Sequence, residues 1–354
     1  MIDRESELFP LPDEEEGEGG LFEHFSLVVD KGQAMLRIDK FLSDKMANVS
    51  RTRIQYAAEA GNLIVNDKTV KPNYRVKPGD RISVVFPHPP KDTRIYPEDI
   101  PLNVVFEDDD ILVINKPNGL VVHPGAGNWT GTLVNALVHR YQDLPLYAGD
   151  EPRPGLVHRI DKETTGLLLI AKTESALNKL AKQFFEKTVE RTYWALVWGD
   201  LKEDSGTIRA NIGRKPGLRK TQAVFPEGEG GKPAVTHYRV LERFHYVTLV
   251  ECRLETGRTH QIRVHFKHIG HPLFGDMDYG GDQVLKGTLF SKYKTFVENL
   301  FAVLPRQALH AKTLGFIHPA NGKKISFDSE LPDDMQQVIV KWRRYLLSRS
   351  EKLD

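Results

Sequence analysis

Residues 155 to 172 read GLVHRIDKETTGLLLIAK. Apolar residues flank a polar centre, which predicts two strands, Leu156 to His158 and Leu167 to Ala171, around a turn at Thr164-Thr165-Gly166. One carboxylate, Asp161, lies between them, where two rigid strands would fix its position. On spacing alone, a turn-forming Asp bonded to its own backbone stands ahead of a reacting carboxylate. Working outward, further strands are predicted at Ile111 to Asn115, Tyr193 to Trp198, Val235 to Leu241 and Tyr246 to Leu254. Helices stand out only near Thr132 to Arg140, Glu174 to Glu186 and His260 to Ile269, with another in the C-terminal segment 331–354. Three helices are too few to cover both faces of a parallel sheet, so the main domain, 101–330, is expected to be α+β with a mixed, mostly antiparallel sheet.

The chain has 354 residues, enough for two or three domains, with 27% charged and 40% hydrophobic residues. No run reaches membrane-spanning length and the N-terminus lacks the pattern of a signal peptide, which predicts a cytoplasmic protein with no membrane partner. Cys252 is the single cysteine, which rules out an intramolecular disulfide and fits a reducing compartment.

The net charge of +1 conceals an asymmetry. Residues 1–30 hold ten acids against Arg4 alone and are expected to be an acidic, disordered tail. Residues 31–87 hold eleven Lys and Arg against five acids. Leu36, Ile38, Phe41, Leu42 and Met46 recur at helical spacing, and Ser50 can cap a second helix through Ile54, Ala57 and Ala58. A strand at Leu63 to Val65 and another at Arg81 to Phe86 follow. Arg37, Lys40, Lys45, Arg51 and Arg53 then crowd one helical pair, which serves a solvated face or a phosphate-binding face equally well. The proline-rich stretch 88–100 reads as a stiff linker.

Several motifs fail. Gly125, Gly127 and Gly131 miss the dinucleotide fingerprint by one residue, and Gly230-Gly231-Lys232 lacks the hydroxyl of a phosphate loop. His260, His265, His268 and His271 lie among Arg258, Arg263 and Lys267, a setting suited to phosphate contact or helix capping rather than to a metal. No cofactor and no metal are expected, and a redox enzyme is excluded. Arg209, Arg214, Lys215, Arg219 and Lys220 form a basic, Gly-rich segment, read as a loop suited to phosphate contact.

The order of elements in 31–87 resembles the S-four-type RNA-binding module, which implies RNA binding through Arg37, Arg51 and Arg53. The central stretch is similar to the His-Arg-x-Asp-x-x-Thr-Ser-Gly signature of the RluA/RluD family of RNA pseudouridine synthases, with Thr165 where Ser is usual. NKPNGLVVHPGAG (115–127), the segment Arg191 to Val197, LETGRTHQIRVH (254–265) and the segment Arg306 to Ala311 resemble its other motifs, in the family's order. The resemblance runs from about residue 36 to 330. It implies a mixed-sheet catalytic domain and a cofactor-free isomerase that flips out uridines, acting on RNA, most naturally large-subunit ribosomal RNA, with no obligate protein partner. It assigns Asp161 as nucleophile or base, Arg263 as its cationic brace and Tyr193 as the stacking ring and proton acceptor. His158, Arg159, Arg258 and His260 join the S-four arginines as RNA contacts. Two alternatives remain open on the residues: a non-catalytic RNA-binding or ribosome-assembly factor on the same fold, and a hydrolase that releases the base.

Overall fold

The computed structural model describes residues 21–46, 49–87, 95–125, 127–146, 153–215, 217, 221–288 and 290–350. The chain forms two compact units, divided between Arg94 and Ile95.

In the first unit, strand β1 (Phe22–Val28) precedes helices α1 (Ile38–Lys45) and α2 (Arg51–Glu59) and strands β2 (Leu63–Val65), β3 (Lys68–Thr69) and β4 (Arg81–Phe86). The strands make an antiparallel sheet in the order β1-β4-β2-β3. Ile38, Phe41 and Leu42 of α1 and Ile54 of α2 bury their side chains with Leu63, Val65, Ile82 and Val84 of the sheet, as the helical and alternating spacings require. The β2–β3 turn places Asn66 and Asp67 at positive φ (48° and 64°), a conformation these two residue types tolerate. The expected disordered tail through residue 30 needs correction: Phe22–Val28 is a paired edge strand. Phe25 and Leu27 pack on the core and Val29 is buried, which outweighs the acidic composition around them. Residues 1–20 lie outside the described part.

The second unit runs β5 (Val104–Glu107), β6 (Ile111–Lys116), α3 (Leu133–Arg140), β7 (Thr165–Ala171), α4 (Glu174–Phe185), β8 (Glu190–Trp198), β9 (Ser205–Arg214), β10 (Gln222–Phe225), β11 (Lys232–Arg243), β12 (Val247–Leu254), α5 (Gln261–His268), α6 (Ser291–Val303), β13 (Leu309–Ile317), β14 (Lys324–Asp328) and α7 (Asp333–Ser350). The sheet order is β10-β9-β11-β12-β8-β13-β7-β6-β5, with β14 on β13, and among the described strands the only parallel neighbours are β13 and β7. It is the mixed, mostly antiparallel α+β sheet that the strand pattern implies.

Alternation sorts the central strands between two faces. Leu112, Ile114, Leu168 and Ile170 point to the face covered by α3 and α5, whereas Ile111, Val113, Leu167 and Leu169 point to the face covered by α4. Further along that second face, Leu196, Trp198, Val247 and Leu249 meet α6 and α7. Both faces are therefore covered, by more helices than the pattern predicts; α6 was missed. Leu156 to His158 is not a strand. It makes a single bridge, Leu156 to Ile170, because Gly155 turns at φ +64° against the end of β7. Nor is 95–100 a free linker, since Ile95 and Ile100 pack on the core and Asn135 Nδ2 donates to the Tyr96 carbonyl at 2.8 Å; residues 88–94 lie outside the described part. Arg209 and Arg214 sit on β9 rather than in a loop, Lys215 follows it, and Arg219 and Lys220 lie outside the described residues. No described helix is long and apolar enough to cross a membrane.

Candidate active site

The turn that carries Asp161 is pinned residue by residue. Lys116, at the end of β6, is fully buried, and its Nζ donates to the carbonyls of Pro117 (2.8 Å), Leu120 (2.9 Å) and Lys162 (2.8 Å). Burial draws its pKa down to about 7, against the opposing pull of Glu163 and Asp161. Arg306, also buried, donates Nη1 to the carbonyl of Glu163 (3.0 Å), while Asp334 of α7 takes its Nε and Nη2 at 2.8 Å each. Thr165 Oγ1 lies 2.8 Å from His310 Nδ1, so the hydroxyl in the usual Ser position is in use. At Gly166 (φ +110°) a Cβ would stand 2.3 Å from the Ala311 carbonyl oxygen, which admits only glycine where β7 meets β13.

Asp161 projects from this turn with its side chain 20% exposed, into a cleft lined also by Arg159, Arg191, Tyr193, Arg258 and His260. Arg263 of α5 closes the cleft's inner wall, and its Nη1 lies 3.6 Å from Asp161 Oδ2. Its other donors are engaged elsewhere: Nε and Nη2 reach Asp276 at 2.7 Å each, and Nη2 also reaches Asp278 at 2.6 Å. The Tyr279 ring stacks 4.9 Å from the guanidinium carbon. Burial opposes the charge on Arg263, but the bond and charge of Asp276 outweigh it and raise its pKa.

Tyr193 is 6% exposed on β8. Burial raises its phenol pKa, with the Asp161 charge adding to the effect, so the hydroxyl stays protonated. His260 caps α5 in the left-handed conformation (φ 54°), its Nδ1 lies 2.9 Å from the Tyr279 hydroxyl, and burial lowers its pKa. Arg159 and Arg258 are exposed at the rim.

The cleft thus gathers Asp161, Tyr193, Arg263, Arg159, Arg258 and His260. His158 is not among its lining residues. Its Nε2 accepts the Leu169 N–H of β7 (3.0 Å) and its ring stacks on Phe184 of α4, 4.7 Å away. Burial, with Arg191 nearby, pushes its pKa down to about 3, so the ring is neutral and held in the packing outside the cleft. His265 lies 2.8 Å from Thr236 Oγ1 and His271 2.7 Å from the Trp198 carbonyl oxygen, so the histidines of 260–271 face different partners. No group of three potential metal ligands occurs among the described residues. The sequence reading gave no role to Lys116, Arg191, Asp276, Asp278 or Tyr279. The only trace of the last three is the spacing of acids and tyrosine inside the glycine-bounded segment 275–281.

In the first unit, one buried carboxylate organises two of the three candidate RNA-binding arginines. Asp39 Oδ2 accepts Arg37 Nη2 (2.9 Å), Arg51 Nε (3.1 Å) and Gln55 Nε2 (2.7 Å). Burial works against its charge, but these bonds prevail and hold its pKa at about 2. Both guanidinium groups stay about half exposed. Arg53 is partly buried on α2.

Residues 110–268 match the family described as RNA pseudouridylate synthase, and residues 36–82 match the S4 domain. The chain is 49% identical to an uncharacterized RNA pseudouridine synthase of Chlorobaculum parvum, over 90% of this chain and 97% of that one. It is 45% identical to ribosomal large subunit pseudouridine synthase D of Nitrosomonas europaea, over 88% of this chain and 86% of that one. Among solved structures, human RNA pseudouridylate synthase domain containing 4 aligns with a TM-score of 0.50 and 25% identity, covering 68% of this chain and 93% of that one. A cleft that sets one carboxylate against a guanidinium and a buried tyrosine is thus carried by a sequence that tracks these relatives along nearly its whole length, and the chain belongs to the RNA pseudouridine synthase family of isomerases.

Proposed function

We propose that the protein isomerises uridines of large-subunit ribosomal RNA to pseudouridine, with Asp161 as the reacting carboxylate. The target class rests on relatives named ribosomal large subunit pseudouridine synthase D that are 40–45% identical over most of this chain. The site assignment rests on one observation: Asp161, Arg263 and Tyr193 share a single cleft, with the carboxylate 3.6 Å from the guanidinium.

Uridine inside folded RNA must leave its stack to reach such a cleft, at a cost of a few kcal/mol. Arg159 and Arg258 at the rim suit the flanking phosphates, and the Tyr193 ring suits the extruded base. An ionised Asp161 then attacks C1′ or takes the C2′ proton, and the bond from C1′ to N1 breaks. The uracil turns in place and C5 bonds to C1′, as the ester bond between Asp161 and C1′ breaks on the first route or as Asp161 returns its proton to C2′ on the second; the C5 proton then leaves to a base while N1 gains a proton. No electrons are transferred, so the step calls for no redox carrier.

The test is Asp161→Asn, which keeps size and removes the charge: tritium release from uracil C5 should vanish while RNA binding persists. Retained turnover overturns the assignment. Arg263→Ala should lose most activity with the domain still folded, checked by rate and melting together. Mapping pseudouridines in total RNA from cells with and without the gene identifies the target.

A further inference from the structure

The brace on Asp161 is asymmetric. Arg263 gives its three shortest bonds, 2.6 to 2.7 Å, to Asp276 and Asp278, and leaves Asp161 a single contact of 3.6 Å. We infer that Asp276 is a positioning residue for the reaction. It takes Nε and Nη2 of Arg263 in a fork, so that the remaining Nη1 orients Asp161 without saturating its oxygens, and Asp278 and Tyr279 complete the clamp. The inference rests on the reading that Asp161 reacts and Arg263 braces it.

Hydrogen bonds to a carboxylate stabilise its charge and reduce its basicity, so an Asp161 gripped by the full fork would be a weaker nucleophile or base. Competition for the guanidinium is settled by solvent. Asp276 is wholly buried, whereas Asp161 is 20% and Asp278 44% exposed and can be solvated. Pulling Arg263 over to Asp161 would strand a buried anion, which is the costlier outcome.

The segment that presents Asp276 has little freedom. The Gly281 N–H donates to the Asp276 carbonyl at 2.7 Å, and the Tyr279 N–H donates to Asp276 Oδ1 at 3.3 Å. A Cβ on Gly275 would stand 2.3 Å from the carbonyl oxygen of Arg306, the residue that pins Glu163, and one on Gly281 would stand 1.8 Å from the Leu273 carbonyl oxygen. The clamp and the Asp161 turn therefore rest on the same segment around Arg306.

In the full-length enzyme, Asp276→Asn sets an amide N–H against a guanidinium N–H and breaks the fork. We expect kcat to fall about a hundredfold, the scale of a misplaced catalytic group, with KM and RNA affinity unchanged. Asp278→Asn, at a half-exposed position where melting should stay at the wild-type value, should lower kcat less and likewise leave KM alone. A folded Asp276→Asn enzyme with wild-type kcat overturns the inference. If that variant fails to fold, wild-type kcat in Asp278→Asn overturns it. Asp161→Asn run alongside separates the two levels. Its retained activity would fell the underlying reading, whereas an inactive Asp161→Asn beside a fully active Asp276→Asn removes the clamp alone.

Discussion

The Lys116 ammonium lies 2.8 Å from the carbonyl oxygen of Lys162, the residue that follows Asp161. A buried cation at the end of one strand thus holds the backbone of the turn from which the carboxylate projects, and the two are joined although 46 residues apart.

Lys116→Met should therefore act on both stability and rate. Three carbonyls lose their donor, and stability should drop by about 3 kcal/mol in chemical denaturation, with the rate falling as the turn loosens. The folded-state pKa of about 7 lies below the ordinary 10.5, so between these values the unfolded chain holds a proton that the folded chain has released. Stability from this group consequently rises with pH across that window and is flat below it. Comparing wild type with Lys116→Met from pH 7 to 8, below the pH at which the thiol of Cys252 ionises in the unfolded chain, should show the rise only in wild type.

Acid should destabilise the second unit well before its carboxylates titrate. Burial pushes His158 down to about 3 and His265 and His310 to about 4, so each stays neutral when folded and takes up a proton on unfolding below about 6.5. Stability is fully present above 6.5 and is lost as pH falls towards 4. Denaturation curves at pH 7, 5.5 and 4.5 should show the decline, and His310→Gln should remove roughly one proton from its slope. An unchanged slope would remove His310 from the account.

RNA affinity should respond to Arg51 through charge. Arg51→Ala leaves Asp39 with Arg37 and Gln55, so the first unit stays folded, while RNA binding weakens and the slope of log K against log salt shrinks by about one. Binding titrations at several salt concentrations measure it, and an unaltered slope would place Arg51 outside the RNA interface.

Tyr193→Phe keeps the ring and loses the phenol. If the hydroxyl moves the C5 proton, kcat falls by about a hundredfold with RNA affinity intact. If the ring alone matters, kcat stays near wild type.

Much of this site was legible from residue order. Asp161, Tyr193 and Arg263 stand in motifs whose succession points to one chemistry, and they converge on one cleft. The direction of His158 was not legible because adjacency in sequence does not give it: His158 enters the packing beneath β7 while its neighbour Arg159 faces the cleft. Asp276 escaped notice because its partner lies 13 residues away across a helix and an irregular segment, a separation that no periodicity encodes. β1 was obscured by composition: Glu23 and an acidic stretch upstream masked the inward positions Phe25 and Leu27, which become visible only once β4 is there to pair with them.

The meeting of β7 with β13 carries a consequence for synthesis. Glu163 and Arg306, like Thr165 and His310, lie more than 140 positions apart along the chain, yet together they shape the turn around Asp161. A ribosome must have released almost the entire polypeptide before these partners can meet. The turn around Asp161 is thus completed only late in synthesis, and a message truncated ahead of codon 306 would yield a product whose turn keeps the Lys116 bonds but lacks those of Arg306 and His310.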